Sequence, residues 1–516
     1  MEFNHPSEIV KDLNFSNDAK SKIMAGVDKL NKAVSSTLGA SGKCVIYEDG
    51  MGRPIVTKDG VTVANSVILM DPAENIGATL IKEAAQKTVK EAGDGTTTST
   101  VLAHSILKEY FESNLTNLRG VKTGINNGVN KIIKYLDKIA IPVEGDMLTH
   151  VANISTNNDK ELGSIIADAY NKVGKDGVVL MEESEDDQTY IEVVDGVKFD
   201  SGIKSQHLIT DKEKNKAVLD NPLVLLVDTE IETIRKIQSV LEYAIKNKRS
   251  ILIVGPLAQQ PLSALIMNKA KGNIKVNIID PPGFANLRKE MLEDLAVVTG
   301  AKVINEELGD DLDLIDASVL GEALKVVTDE KDTIITTNGI NEQTEERIAI
   351  IEKQIKEEKN PYLLKKLHDR KAMLSGSVGI VFVGADSKVE LKEKKDRVED
   401  AIYAVKAALK EGIVPGAGVA LVNASSSIKP ACPGEKLLMQ AVQAPFKTIL
   451  ENGGIEPPES ISKGKGIDVI TGKLVKMVNA GIIDPVLVTK TALKNAASVA
   501  TTIMSADCVI SNVREQ

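Results

Sequence analysis

Apolar residues change their spacing twice along this chain, and that switch limits the folds open to it. From about residue 16 to 140 they recur with a helical period. Alternation of the β kind interrupts this near 44–64, where Cys44-Val45-Ile46-Tyr47 and Pro54-Ile55-Val56-Thr57 flank Asp49-Gly50 and read as a hairpin. A second tight turn at Lys58-Asp59-Gly60 leads into Val61-Thr62-Val63. From about 178 to 330 the β-rich runs Leu223–Val227, Ile251–Val254 and Val276–Ile279 alternate with helical segments at 230–247, 261–271 and 286–299, the pattern of βαβ crossovers. Residues 340–374 form a charged amphipathic pair. Ile348, Ile351 and Ile355 share one face, Asn360-Pro361 breaks it, and Leu363, Leu364 and Leu367 begin the next. From about 396 the pattern is helical again. Helical blocks on either side of an α/β centre predict a domain split in sequence that carries insertions.

A chain of 516 residues is too long for one core and suggests roughly three domains. Tryptophan is absent and aromatics make up 3%, so the cores must be built from Ile, Val, Leu and Ala. A net charge of −10 with no basic stripe argues against nucleic-acid binding. Cys44, Cys432 and Cys508 are widely separated and read as reduced thiols. No apolar run approaches the ~18 residues that a membrane span needs. The acidic start Met1-Glu2-Phe3-Asn4-His5-Pro6-Ser7-Glu8 lacks the apolar core of a secretory signal. A cytoplasmic protein without membrane partners is expected.

The stretch Gly93-Asp94-Gly95-Thr96-Thr97-Thr98-Ser99-Thr100, followed by apolar residues at helical spacing, carries the most chemistry. Glycines around an aspartate let the backbone turn, and hydroxyls follow at the start of a helix. A helix N-terminus with free amides suits phosphate. Asp94 inside such a loop would repel phosphate unless a divalent cation lay between them, which suggests Mg²⁺. Taken alone, a GDG turn before a helix is an ordinary cap. Other nucleotide and catalytic motifs are missing. Gly39-Ala40-Ser41-Gly42-Lys43-Cys44 has the wrong spacing for a P-loop, and no GxGxxG follows a strand. The five histidines have no metal-binding spacing, and no GxSxG elbow occurs.

The motifs together resemble those of the group I, GroEL-like chaperonins over about residues 10–513. They include Ser36-Thr37-Leu38-Gly39, Thr57-Lys58-Asp59-Gly60-Val61, the Gly93–Thr98 loop and Pro282-Gly283-Phe284. Val398-Glu399-Asp400-Ala401, Gly416–Leu421, Gly481-Ile482-Ile483-Asp484-Pro485 and Ala496–Ala500 complete the set. The resemblance implies a multidomain protein. An all-α equatorial ATP-binding domain would be split between 1–142 and 412–516. A small α/β intermediate hinge domain would come from 143–195 and 377–411, and an α/β apical client-binding domain from 196–376. Pro142 and Gly412 match the lower hinge, Gly196 and Gly376 the upper, with Ser377 in place of a second glycine.

The same resemblance assigns the nucleotide site. Thr37, Leu38 and Gly39 match a turn along the nucleotide, and Thr37 and Lys58 match positions near a K⁺ ion. Asp94 matches the Mg²⁺ ligand, and Gly95, Thr96, Thr97 and Thr98 the phosphate cradle. Asp59 matches an acid near the γ-phosphate, and Asp400 the carboxylate that orients and deprotonates the attacking water. By themselves, Asp59 is a D-G turn and Asp400 a solvated helix face. Gly416-Ala417-Gly418 replaces a triple glycine, and Asp468, Val469 and Ile470 replace an Asn-Ala-Ala run beside the base. Asp484 keeps the ribose-contacting acid. Ile203, Leu208, Leu241, Leu262, Ile266 and Met267 match an apolar groove for unfolded clients and a co-chaperonin lid, with His207 and Gln238 making it more polar. Ser201 and Lys388 replace the two members of an intersubunit ion pair, and Arg514-Glu515-Gln516 stands where bacterial members carry a Gly-Gly-Met tail. The implied activity is ATP-driven folding of non-native proteins by a homo-oligomeric, seven-membered ring. An oligomeric binding scaffold with weak or absent ATPase is the alternative. A metabolic ATPase is disfavoured because no second catalytic constellation occurs.

Overall fold

The computed structural model describes residues 11–512 except 114, 144, 146, 157–158, 175–176, 185, 213–214, 284–285, 338–341, 359 and 375–376. The upper-hinge position Gly376 and Phe284 of the Pro-Gly-Phe motif lie outside the described residues. The chain divides into two compact units. One comprises residues 1–168, 183–189 and 383–516; the other comprises 169–182 and 190–382.

The first unit is built on the long helices Ser16–Ser35, Pro72–Ala92, Thr96–Glu112, Leu118–Ile139 and Val486–Ile503. Their buried faces meet in one core that includes Ile23, Leu30, Ile81, Leu102, Ile106, Ile132 and Leu493. Alanines such as Ala84, Ala85, Ala492, Ala496 and Ala500 fill the remaining space. With so few aromatics, close backbone approach has to replace bulk. A Cβ on Gly26 would lie 1.9 Å from the Glu74 carbonyl oxygen, so the Ser16–Ser35 and Pro72–Ala92 helices touch main chain to main chain. The two chain ends meet as well: Lys11–Phe15 pairs antiparallel with Cys508–Asn512. The portion expected to be all-α carries further two-stranded pairs. Val45–Glu48 pairs with Pro54–Thr57, Ile413–Pro415 with Ile483–Pro485, and Lys465–Asp468 with Lys473–Lys476. Val61-Thr62-Val63 is not β. It lies in the helix Gly60–Ser66, because the Asp59 carboxylate accepts the Val61 and Thr62 N–H groups and caps it.

In the second unit, Val303–Ile304, Leu223–Val227, Ile251–Val254 and Val276–Ile279 lie parallel, and Gly321–Glu322 adds antiparallel to Leu223–Val227. All five residues of Leu223–Val227 are buried, as expected of a parallel strand covered on both faces. A second sheet of six strands runs, in order, Val178–Glu183, Ser377–Val383, Tyr190–Phe199, Thr333–Thr337, Lys325–Thr328 and Ala217–Asp220. The expected helices appear at Gln259–Ala270 and Asn286–Thr299. The segment expected to be helical from 230 instead starts as a short 3₁₀ turn at Ile234–Ile237, and the α-helix covers only Gln238–Lys246. Ile231 is held extended by hydrogen bonds with Pro256 and Ala258, so the backbone cannot coil before it. The charged pair forms Glu342–Glu357 and Pro361–Leu374, with Ile351 fully buried and Leu363 45% exposed.

Candidate nucleotide site

A cavity of about 470 Å³ opens in the first unit. Its wall begins with the turn that joins two helices. Asp71 caps Pro72–Ala92 at one end, and Gly93 ends that helix in the left-handed conformation (φ 76°). Gly95 (φ 92°) then stands before Thr96–Glu112, whose first N–H groups lie beyond it. Between the two glycines sits Asp94, which lines the cavity with Gly95 and Thr98. Thr96 and Thr97 do not line it. A Cβ on Gly60 would lie 2.1 Å from the Thr97 Oγ1 and 3.1 Å from the Thr96 Oγ1, so both hydroxyls pack against the Gly60–Ser66 helix.

That helix positions Asp59. Its Oδ1 accepts the Val61 N–H at 3.1 Å and its Oδ2 the Thr62 N–H at 2.7 Å, fixing the carboxylate at the cavity wall beside Lys58. Asp400 arrives from the helix Lys388–Glu411. A Cβ on Gly93 would lie 2.4 Å from Tyr403, so that helix rests directly on the Gly93 turn and carries Asp400 to the cavity. Val488 and Ala407 pack with Ala92 behind it.

The electrostatics follow from this crowding. Burial raises the Asp94 carboxyl, and the Asp59 charge adds to the shift against the Gly95 N–H that favours ionisation. Burial also pushes Asp400 well above the usual carboxylate range, reinforced by Asp94, Asp59, Glu399 and Asp396. Asp484 is pushed up to about 6 by burial, against N–H groups of Gly418 and Ala417 that favour its charge. The lining thus holds closely spaced carboxylates with Lys58 and Arg397 as its cations. Among the described residues no three His, Cys, Asp or Glu side chains are grouped as a ready-made metal site. The mutual repulsion of Asp94, Asp59 and Asp400 fits a cation that would arrive with substrate oxygens rather than one held by protein alone.

The opposite chemistry comes from the turn after Ser16–Ser35 and from the 445–484 segment. Thr37, Leu38, Gly39 and Ala40 line the cavity. Asn452 braces that turn by donating its Nδ2 to the Ser35 and Leu38 carbonyls at 2.8 and 2.9 Å. Gly39 (φ 85°) faces Ile449. Ala417 lines the wall with φ 52°, a left-handed conformation that a non-glycine residue adopts at a cost of about 1 kcal/mol. Gly416 lies behind it, where a Cβ would meet the Ile483 N–H and the Asp484 carboxylate. Asp468 and Asp484 line the cavity too.

Sequence reasoning missed Arg397. It lines the cavity and pairs with Glu393 at 2.6 Å and Asp159 at 3.6 Å. The i, i+4 spacing of Glu393 and Arg397, with Asp400 one turn further on, was the available signal. Asn452, Ile154 and Ser155 had none.

In the second unit the apolar groove needs correction. Leu208 is fully buried and Leu241 is 6% exposed, because both belong to the core beneath the parallel sheet. Neither presents a surface to a partner. Ile203, Leu262 and Ile266 are half-buried against that core, Met267 is 57% exposed, and His207 and Gln238 are exposed.

Residues 30–514 match the sequence profile of the TCP-1/cpn60 chaperonin family. Among solved structures, the chain is similar to the chaperonin gp146 from the bacteriophage EL 2 (Pseudomonas aeruginosa), crystallised in the presence of ATP-BeFx. In crystal form II the TM-score is 0.72 at 22% identity, covering 98% of this chain and 99% of that one. In crystal form I the TM-score is 0.65 at the same identity and coverage. That likeness establishes the chaperonin fold, and with the family match across nearly all of its length the chain belongs to the TCP-1/cpn60 chaperonins.

Proposed function

We propose that this chain is a chaperonin ATPase that binds non-native proteins and uses ATP hydrolysis to assist their folding. The observation that carries the reading is the convergence of Asp59, Asp94 and Asp400 with Lys58 and a helix N-terminus on one cavity. Such a set does what phosphoryl transfer requires, which is positioning and charge neutralisation rather than covalent chemistry. The gp146 crystals grown with ATP-BeFx support ATP as the nucleotide.

In this reading Gly95 and Thr98, with the backbone of Thr96 and Thr97, receive the phosphates at the helix N-terminus. Asp94 would hold Mg²⁺ together with phosphate oxygens, and Thr37 and Lys58 mark the K⁺ position. Bound there, the divalent ion would neutralise phosphate charge and orient the transferring group. Asp400, already held basic by its surroundings, accepts the proton of the attacking water. The fixed Asp59 carboxylate orients that water. Asp484 takes the ribose hydroxyls.

We assign residues 1–142 and 412–516 to the equatorial domain, 143–195 and 377–411 to the intermediate domain, and 196–376 to the apical domain. The client surface is the apolar row of the half-buried Ile203, Leu262 and Ile266 with the exposed Met267. Met267 suits a surface that must fit many partners. The working assembly is a homo-oligomeric ring, seven-membered in the family pattern and open to a co-chaperonin lid, acting in the cytoplasm. No helix among the described residues is long and apolar enough to cross a membrane. Phosphate release by the purified protein, with negative-stain microscopy of the same sample, tests the reading. ATP turnover by ring-shaped particles is expected. Absence of nucleotide turnover in well-formed particles would refute the ATPase.

A further inference from the structure

The parallel sheet of the second unit carries opposite charge at its two edges. Because Val303–Ile304, Leu223–Val227, Ile251–Val254 and Val276–Ile279 run the same way, the turns that enter them share one edge and the turns that leave them the other. Lys246 and Lys248 precede Ile251–Val254, and Lys271 and Lys275 precede Val276–Ile279. The two entering turns are neighbours, since the Ile251 N–H donates to the Lys275 carbonyl at 2.9 Å. All four lysines are exposed, and among the described residues their side chains form no ion pair or hydrogen bond. Tyr243 and Ile245, 43% and 48% exposed, stand beside them on the helix Gln238–Lys246. The N–H groups of Lys248 and Arg249 donate to the Ile245 and Ala244 carbonyls at 3.0 and 2.9 Å, which fixes the first turn.

The segment that leaves Val303–Ile304 has the reverse charge. Glu307, Asp311, Asp313 and Asp316 are exposed there, and among the described residues only Glu307 of the four is in an ion pair, with Lys289 at 3.5 Å. Leu308 and Leu314, interleaved with these acids, are 78% and 79% exposed. The segment is held in place from below. Leu312 is fully buried in the core, the Asp310 carboxylate accepts the Asn305 N–H at 3.1 Å, and the Ser239 hydroxyl donates to the Ile315 carbonyl.

We propose that these two edges bind each other between neighbouring copies of the chain, head to tail, as one of the contacts that close its ring. The inference rests on the homo-oligomeric reading above and is independent of the ATPase. Within one chain the edges cannot meet. They are separated by the length of a strand, about 13 Å for four residues. Val303–Ile304 also lies two strands from Ile251–Val254 and three from Val276–Ile279. Charge complementarity selects the partner: lysines without counter-ions on one edge match carboxylates without cations on the other. Two exposed apolar side chains stand within each set, so the contact can exclude water around its charges instead of relying on screened surface pairs. The two surfaces differ, so the contact is heterologous. Each copy uses one edge and keeps the other open, and repetition closes into a ring where the rotation allows.

Two measurements on the full-length protein test this. In a co-assembled mixture of isotopically labelled and unlabelled protein, carbodiimide joins amines to carboxylates already in contact. It should link Lys246, Lys248, Lys271 or Lys275 to Glu307, Asp311, Asp313 or Asp316, in products that pair a labelled with an unlabelled peptide. Charge reversal is the second measurement. Lys246→Glu with Lys248→Glu, or Glu307→Lys with Asp313→Lys, should each raise the concentration of half-dissociation, read by sedimentation, by about tenfold or more. All four substitutions together should return it to within about threefold of the parent, since each copy again presents opposite edges. Coupling confined to other residues, or a fourfold variant that assembles no better than either pair, overturns the proposal while leaving a ring held by other contacts. A parent protein that stays monomeric at every concentration removes the homo-oligomeric reading, and this inference with it.

Discussion

Asp484 should make the nucleotide-free protein less stable as pH rises, and Asp484→Asn should abolish that loss. The side chain sits on the short strand Ile483–Pro485, opposite Val414, and burial raises its folded pKa to about 6 from the 3.8 usual for a free aspartate. An acid whose folded pKa is raised has its full stabilising contribution below the unfolded pKa. It loses that contribution as pH climbs to the folded pKa. The loss therefore falls between about pH 4 and 6. At 1.36 kcal/mol per pKa unit it amounts to about 3 kcal/mol, as an order of magnitude. Asparagine cannot ionise and still offers an oxygen to the Gly418 or Ala417 N–H. Asp484→Asn should therefore melt higher than the parent at pH 7.5, with the difference fading toward pH 4. Thermal melts of both proteins, nucleotide-free, across pH 4–8 would show it. Parallel curves, or a variant that melts lower at pH 7.5, would refute the burial argument. If Asp484 also takes the ribose, the stabilised variant should bind ADP more weakly, so stability and affinity move in opposite directions.

Two further outcomes follow from the same geometry. Asp94→Asn should weaken Mg·ADP binding far more than it changes the melting temperature, because it removes the carboxylate proposed to meet the cation from the Gly93–Gly95 turn; calorimetry with unchanged affinity would contradict that role. On the second unit, Met267→Ser should reduce suppression of client aggregation with little effect on melting, whereas Leu241→Ser, in the core, should cost about 2–5 kcal/mol of stability; equal melting temperatures for Leu241→Ser and the parent would refute its burial.

Much of the fold was legible because its signals are local. The runs Leu223–Val227, Ile251–Val254 and Val276–Ile279 form strands where they were expected, since a continuous apolar run between helical segments has little alternative inside a parallel sheet. The Asp49-Gly50 hairpin and the Asn360-Pro361 break were equally plain. Val61-Thr62-Val63 misled because β-branched residues favour strands, and only the Asp59 cap, a side-chain bond, reverses that preference. At the nucleotide cavity the glycine turn was readable. The contact of Gly93 with Tyr403, which carries Asp400 to it, spans more than 300 residues and left no trace in spacing. Leu208 and Leu241 show the limit in the other direction. An apolar residue on an amphipathic helix, as Leu241 is, or at the end of a 3₁₀ turn, as Leu208 is, looks the same whether it faces a core or a partner. The Asp468 turn was similarly invisible, since the sequence shows the carboxylate but not that it accepts the Ile470 N–H and the Thr471 hydroxyl.

The central claim is that Asp400 serves the water and not the nucleotide, and Asp400→Asn tests it most directly. The substitution keeps the side chain's size on the Lys388–Glu411 helix and removes its capacity to take a proton. Loss of a general base lowers turnover by about 10²–10⁴. Steady-state ATP hydrolysis should therefore fall at least about a hundredfold, while the Mg·ATP dissociation constant, measured directly, stays the same or tightens as one repelling carboxylate disappears. Hydrolysis at the parent rate, or a loss of activity explained entirely by weaker binding, would contradict the account.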